Sequence, residues 1–133
     1  AIYRQEADVF APGALGGILN DRTIPQLKAR IVAGSANNQL AAPYHGDLLR
    51  SRGIIYAPDY VVNAGGILSA SRDIFHDRDE ARLSAQIAAI FNTTLHICEV
   101  ADAENHSTHT VADELARQKI AAARAAHHEP VVA

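Results

Sequence analysis

The sequence predicts an α/β fold: about three parallel strands with covering helices, followed by C-terminal helices. In the first half, short β-rich apolar runs alternate with amphipathic segments, the order that lays helices over a parallel sheet. Beyond about residue 75 the apolar positions recur at spacings of three and four, which is the period of a helix. With 48% hydrophobic and 20% charged residues in 133, the chain is long and apolar enough to bury a core.

Asp8-Val9-Phe10-Ala11 reads as the first strand, followed by a Pro-Gly turn and the small residues Gly13-Ala14-Leu15-Gly16-Gly17. Asn20 or Asp21 is placed to cap a short helix through about Leu27, with Pro25 early enough to be tolerated. Arg30-Ile31-Val32-Ala33 is a second strand, uninterrupted in apolar character as a doubly covered strand should be. After the loop Gly34-Ser35-Ala36-Asn37-Asn38, a helix is predicted over residues 43–52 and closed by Gly53. Ile54-Ile55-Tyr56-Ala57 is the third strand, stopped by Pro58, which has no N–H to donate. Leu83, Ile87, Ile90, Phe91, Leu95 and Cys98 then form one apolar stripe on a helix over residues 79–100. Asp79 and Glu80 stand favourably at its positive end. Thr110-x-x-Asp113 resembles a capping box that opens a last helix to about Ala125. A loose tail is expected over residues 127–133.

The formal charge of −3 provides no field that would draw nucleic acid or an anionic membrane, and a small neutral or zwitterionic ligand fits better. A single cysteine, Cys98, excludes an internal disulfide and points to a reducing compartment, so a cytoplasmic location is expected. No apolar run approaches the roughly 20 residues that span a bilayer. The chain opens without Met and enters a strand within a few residues, so an upstream segment is expected.

In a parallel sheet, ligands bind beyond the carboxyl ends of the strands, where loops present backbone N–H groups. Three unusual segments fall at such ends: Pro12-Gly13-Ala14-Leu15-Gly16-Gly17, Gly34-Ser35-Ala36-Asn37-Asn38, and Asn63-Ala64-Gly65-Gly66. Small residues let the main chain approach a flat ring, and Asn both donates and accepts. Each loop alone also reads as an ordinary tight turn; their coincidence marks a site. The spacing of Gly13, Gly16 and Gly17 fits neither Gly-x-Gly-x-x-Gly nor a Walker loop.

Ala7-Asp8-Val9-Phe10-Ala11-Pro12 with Ala14-Leu15-Gly16-Gly17, Thr23-Ile24-Pro25-Gln26-Leu27-Lys28, Val32-Ala33-Gly34-Ser35-Ala36-Asn37-Asn38-Gln39-Leu40, His45-Gly46-Asp47-Leu48-Leu49, and Tyr56-Ala57-Pro58-Asp59-Tyr60-Val61-Val62-Asn63-Ala64-Gly65-Gly66 follow one another in register. Together they resemble the C-terminal portion of the glutamate/leucine/phenylalanine/valine dehydrogenases, most of all the leucine and phenylalanine branch. The resemblance implies half of a Rossmann-like domain over residues 1–75 and a C-terminal helical segment over 76–126 that packs on it. It also implies reversible oxidative deamination of an aliphatic or aromatic L-amino acid to a 2-oxo acid and ammonia, with NAD or NADP as cofactor. In that frame Ala14, Leu15, Gly16, Ser35, Ala36 and Asn37 line the nicotinamide-ribose side, and Asn38, Gly66, Ile67 and Ala70 face the substrate.

Two departures stand out. The family has cysteine where Gly13 stands, a change that alters packing more than chemistry. Its catalytic lysine, its acid/base aspartate and its Gly-x-Gly-x-x-Gly segment all precede the point where this sequence begins. Lys28 and Lys119 are the only lysines and neither lies in such a motif. No catalytic residue is therefore assigned, and the isolated chain is expected to be inactive. The alternative is a non-catalytic binding or assembly module that reuses the half-fold. In either case the first strand would keep an open edge, so a homo-oligomer is expected. His96, His106, His109 and the His127-His128 pair have no metal-site spacing, no metal is assigned, and Cys98 on the apolar stripe reads as a buried, inert thiol.

Overall fold

The computed structural model describes residues 2–76 and 78–126; the tail expected over 127–133 lies outside the described residues. Strands β1 (Val9–Phe10), β2 (Ile31–Val32) and β3 (Ile55–Tyr56) lie side by side in chain order, all parallel. Val9 is in register with Ile31, and Ile31 with Ile55. The regular strands are shorter than the four-residue runs predicted. Flanking bonds nevertheless continue the ladder, from Ile31 N to Asp8 O, Ala33 N to Phe10 O, Ile55 N to Arg30 O and Ala57 N to Val32 O.

Helix α1 spans His45–Ser51 and ends where Gly53, at φ +68°, turns its N–H back to Arg50 O at 2.8 Å. Pro58 leads into the single turn α2 (Asp59–Val62), and α3 (Gly65–Phe75) follows after Asn63. Helix α4 (Glu80–Ala103) begins one residue later than expected: Asp79, expected in its first turn, is its N-cap, with Oδ1 accepting from Arg82 N at 3.0 Å. Helix α5 runs over Thr108–Ala126.

Three expectations need correction. The helix foreseen up to Leu27 is only a 3₁₀ turn, Ile24–Gln26. Asn20 is spent on that turn: its Oδ1 accepts from Arg22 N and Thr23 N while its Nδ2 donates to Gly17 O. The last helix does not start at Thr110. Ser107 Oγ accepts from Thr110 N at 3.4 Å and pairs with Thr110 Oγ1, so Thr110 lies inside the first turn. The stripe on α4 does not face a core: Ile87, Phe91 and Leu95 are 43%, 70% and 46% exposed, and the helix buries Ile97 and Ala101 instead.

Two apolar clusters result. Leu19, Ile24, Leu27, Val32, Leu49, Ile54 and Tyr56 form the main one, around the sheet. Ile97 and Ala101 of α4 meet Val111 and Ala112 of α5 in the second, with Val61 beside them. Thr108 Oγ1 donates to Tyr56 O and so closes the outer side of β3. The outer side of β1 pairs with no other strand among the described residues.

Candidate functional site

The loops at the ends of β1 and β2 are stacked so tightly that only glycine fits between them. A Cβ on Gly34 would stand 2.2 Å from Pro12 O, and one on Gly16 would stand 2.9 Å from Asn37 O. Real Cβ atoms do not approach so closely, so both glycines are required by neighbouring backbone. The loops are also bonded: Ala36 N donates to Pro12 O and Gly17 N to Asn38 O at 2.7 Å. Leu19 and Leu40 continue the pairing as a parallel bridge. The third loop joins through Asn63, whose Nδ2 donates to Asn37 Oδ1 at 2.5 Å and to Ser35 O at 3.4 Å.

Beneath this surface lies a buried polar anchor. Asp59 is 6% exposed, and its Oδ2 accepts from Gln39 N at 2.6 Å and from Tyr56 OH at 3.2 Å. Gln39 is fully buried, and its Nε2 donates to Gly34 O and Ala36 O. The loop after β2 is thus tied from below to the start of α2, with a carboxylate gaining charge-assisted bonds in a low-dielectric setting. Burial and the Asp59 charge push the Tyr56 phenol up, beyond the usual tyrosine range. Tyr60, next in α2, is pushed up to about 12 by burial and by Asp113 and Asp59. Both hydroxyls stay protonated and act as hydrogen-bond donors at neutral pH.

The sheet therefore brings Gly16, Ser35, Ala36, Asn37 and Asn38 to one place. Ser35, Asn37 and Asn38 are exposed, whereas Ala36 is buried and supports the loop from inside. Asn38 has φ 53°, a left-handed conformation that asparagine tolerates. Ala14 and Leu15 are exposed, Leu15 at 73%. Gly66, Ile67 and Ala70 lie on uncovered parts of the first turns of α3. Gln39, Asp59 and Tyr56 are the supporting residues that the loop motifs alone did not single out, whereas Asn63 opens one of the three marked segments. The usable signal was Asp59 directly after Pro58 at a strand end.

Other candidates fall away from this place. Cys98 is half-buried on α4, and burial together with Glu99 pushes its thiol up, which keeps it protonated. His109 packs edge-on to Tyr60 with ring centroids 6.3 Å apart. His45 stacks on Tyr44 and accepts at Nδ1 from Ala42 N, and its Nε2 stands 3.4 Å from Asp21 Oδ1 without forming a hydrogen bond. Among the described residues no three His, Cys, Asp or Glu side chains are grouped to hold a metal ion, and no helix is long and apolar enough to cross a membrane.

A parallel sheet with its strand-end loops locked into one surface defines one side of an α/β ligand cleft. Residues 1–128 match the model of the Glutamate/Leucine/Phenylalanine/Valine dehydrogenase family, and the chain belongs to that family. It is 46% identical over 125 residues to leucine dehydrogenase of Geobacillus stearothermophilus, a match covering 94% of this chain and 34% of that protein. With valine dehydrogenase of Streptomyces albus it shares 48% identity over 126 residues, again 94% of this chain and 34% of the relative. Among solved structures, L-tryptophan dehydrogenase from Nostoc punctiforme superposes with a TM-score of 0.85 at 43% identity, covering 92% of this chain and 37% of the other. Glutamate dehydrogenase from Peptoniphilus asaccharolyticus shares the fold, with a TM-score of 0.70 at 23% identity over 91% of this chain and 32% of that one. The chain spans about a third of the length of the curated relatives it matches.

Proposed function

We propose that this chain supplies the C-terminal part of an amino acid dehydrogenase that reversibly deaminates an aliphatic or aromatic L-amino acid to a 2-oxo acid and ammonia, with NAD or NADP as the hydride carrier. The observation that carries the reading is the locked surface where Asn63 bonds Asn37 and Gly16 abuts the backbone of Asn37 and Asn38. The residues present suit the nicotinamide-ribose end of such a cofactor. Glycine backbone lets a flat ring lie close, and Ser35 and Asn37 offer exposed polar groups beside it. The cofactor would accept the hydride, and the protein's part is to hold the donor carbon in line with it and exclude water. Ala14, Leu15, Gly16, Ser35, Ala36 and Asn37 form the cofactor side of this wall; Asn38, Gly66, Ile67 and Ala70 form the substrate side, where Ile67 suits an apolar side chain better than a carboxylate.

The described residues that meet at the loop surface, Gly16, Ser35, Asn37, Asn38 and Asn63, include no lysine, carboxylate or histidine to drive the proton transfers. Lys28 is paired with Glu6 at 3.1 Å on the surface, and Lys119 lies on the exposed end of α5. The purified 133-residue chain should therefore give no NAD(P)H from leucine, valine or phenylalanine; measurable turnover would overturn the claim that the groups driving the proton transfers lie outside these residues. The open outer side of β1 favours self-association, since unpaired strand edges seek partners.

A further inference from the structure

The two hydrogen bonds that anchor Asp59, from Gln39 N at 2.6 Å and Tyr56 OH at 3.2 Å, both end on Oδ2. Its other oxygen, Oδ1, accepts no hydrogen bond, and the carboxylate has no ion pair among the described residues. A carboxylate only 6% exposed is thus left with one oxygen unmet. Buried charge without a counter-charge is costly, and folds that keep it ordinarily pair it or place it against an ion.

Asp59 is one wall of a recess of about 200 Å³ between the loop after β2, the entry to α1, α2 and the first turn of α5. The other polar groups on this recess are acceptors too. His109 Nδ1 is buried without a partner, and it offers a lone pair in the neutral ring protonated at Nε2. Asn38 lines the recess with a side chain that makes no hydrogen bond among the described residues, so its carbonyl is available. Tyr60 directs its proton to His109 O at 3.4 Å, which leaves its oxygen lone pairs. Among the described residues that line the recess there is no lysine or arginine. The local field is negative as well: after burial, Asp113 and Asp59 are what push the Tyr60 phenol up.

Size and charge narrow the occupant. A recess of this volume is smaller than the roughly 300 Å³ at which small-molecule pockets begin, yet holds a few bodies of water size at about 30 Å³ each. One carboxylate balances one positive charge. Divalent sites gather several carboxylates or imidazoles, and no three such side chains are grouped among the described residues. Asp59 is buried by this chain alone, so whatever reaches Oδ1 has to be small, however the outer surface is covered.

We propose that this recess binds one monovalent cation, an alkali ion or ammonium, on Asp59 Oδ1, with Asn38 and His109 Nδ1 completing its contacts. The ion neutralises the buried carboxylate. Through Asp59 and Gln39 it also steadies the loop that carries Asn37 and Asn38.

Thermal unfolding of the 133-residue chain in sodium, potassium, ammonium or tetramethylammonium chloride at matched ionic strength tests this. At least one of the three small cations should raise the Tm by several degrees, saturating with concentration as a single site does. Tetramethylammonium, which has no N–H and is too wide to reach a buried oxygen, should give no such rise. Asp59→Asn keeps an oxygen for Gln39 N and Tyr56 OH but removes the charge, and it should abolish the saturable rise. His109→Phe keeps the ring contact with Tyr60 and removes Nδ1, and it should raise the half-saturating concentration several-fold. A Tm alike in all four salts, the result expected if an ordered water fills the recess, would overturn the proposal. So would a rise that Asp59→Asn leaves unchanged or, should that chain fail to fold, one that His109→Phe leaves unchanged.

Discussion

The strand half and the helical half of this molecule are packed to different standards. Around the sheet, short segments from five places close on themselves and bury Leu19, Ile24, Val32 and Leu49 completely. Beyond Gly65 the helices are longer yet bury less: α3 has no buried residue, and α4, at 24 residues, buries only Ile97 and Ala101. Ile67, Ile74, Phe75 and Phe91 are each at least 70% exposed. A βα unit completes its own core within a few dozen residues. An amphipathic helix completes one only against whatever its second face meets. The loops of the proposed cleft are built on the half that is finished.

Substitutions in the two halves should therefore differ sharply. Leu49→Ala in the main cluster should cost about 2–5 kcal/mol of stability by lost burial and residual cavity, as read by denaturant unfolding. Asp59→Ala should cost about 1–3 kcal/mol, because Gln39 N and Tyr56 OH would be left buried without an acceptor. It should also lower the pH at which the Tyr56 phenol ionises, since the nearby carboxylate that opposes the phenolate is gone. If Asp59→Ala left stability unchanged, the anchor beneath the loops would lose its meaning.

Alkaline pH probes the seam between the halves. Tyr60 ionises near 10 when unfolded and near 12 in the fold. Its folded-state value is raised, so its contribution to stability is complete below pH 10 and is lost as pH rises toward 12. Thermal unfolding should show a decline across that window that is smaller in Tyr60→Phe. Least affected should be Phe91→Ser: with 70% of the residue exposed, its effect should stay within about 0.5 kcal/mol. A loss comparable to that of Leu49→Ala would mean that α4 is covered in the free chain.

The same contrast explains what could be read from the sequence. The three strands were legible because Pro12, Gly34 and Pro58 punctuate continuous apolar runs. Their loops were legible because small residues and asparagines sit at every strand end. Asp79 and Glu80 were legible as acids at the positive end of α4, because they open a helical period. The orientation of α4 was not, because Ile87, Phe91 and Leu95 and the row through Ile90, Ile97 and Ala101 are two apolar tracks on one helix, and periodicity does not say which neighbour lies inside the chain. Asp59 was not legible as a buried anchor, because an aspartate that opens a helix ordinarily faces solvent. The start of α5 was misplaced because Thr110-x-x-Asp113 is the better box on paper, while Ser107 is the residue that is buried at the turn.

Hydrogen exchange of backbone amides, residue by residue, tests most directly the claim that the sheet half is finished and the helical half is not. The slowest amides should be Ile31, Ala33, Ile55 and Ala57, whose ladder bonds lie around the main cluster. Amides of α3, and of α5 beyond Ala116 in dilute solution, should exchange many times faster. Equal protection across α3, the end of α5 and the sheet would contradict the account.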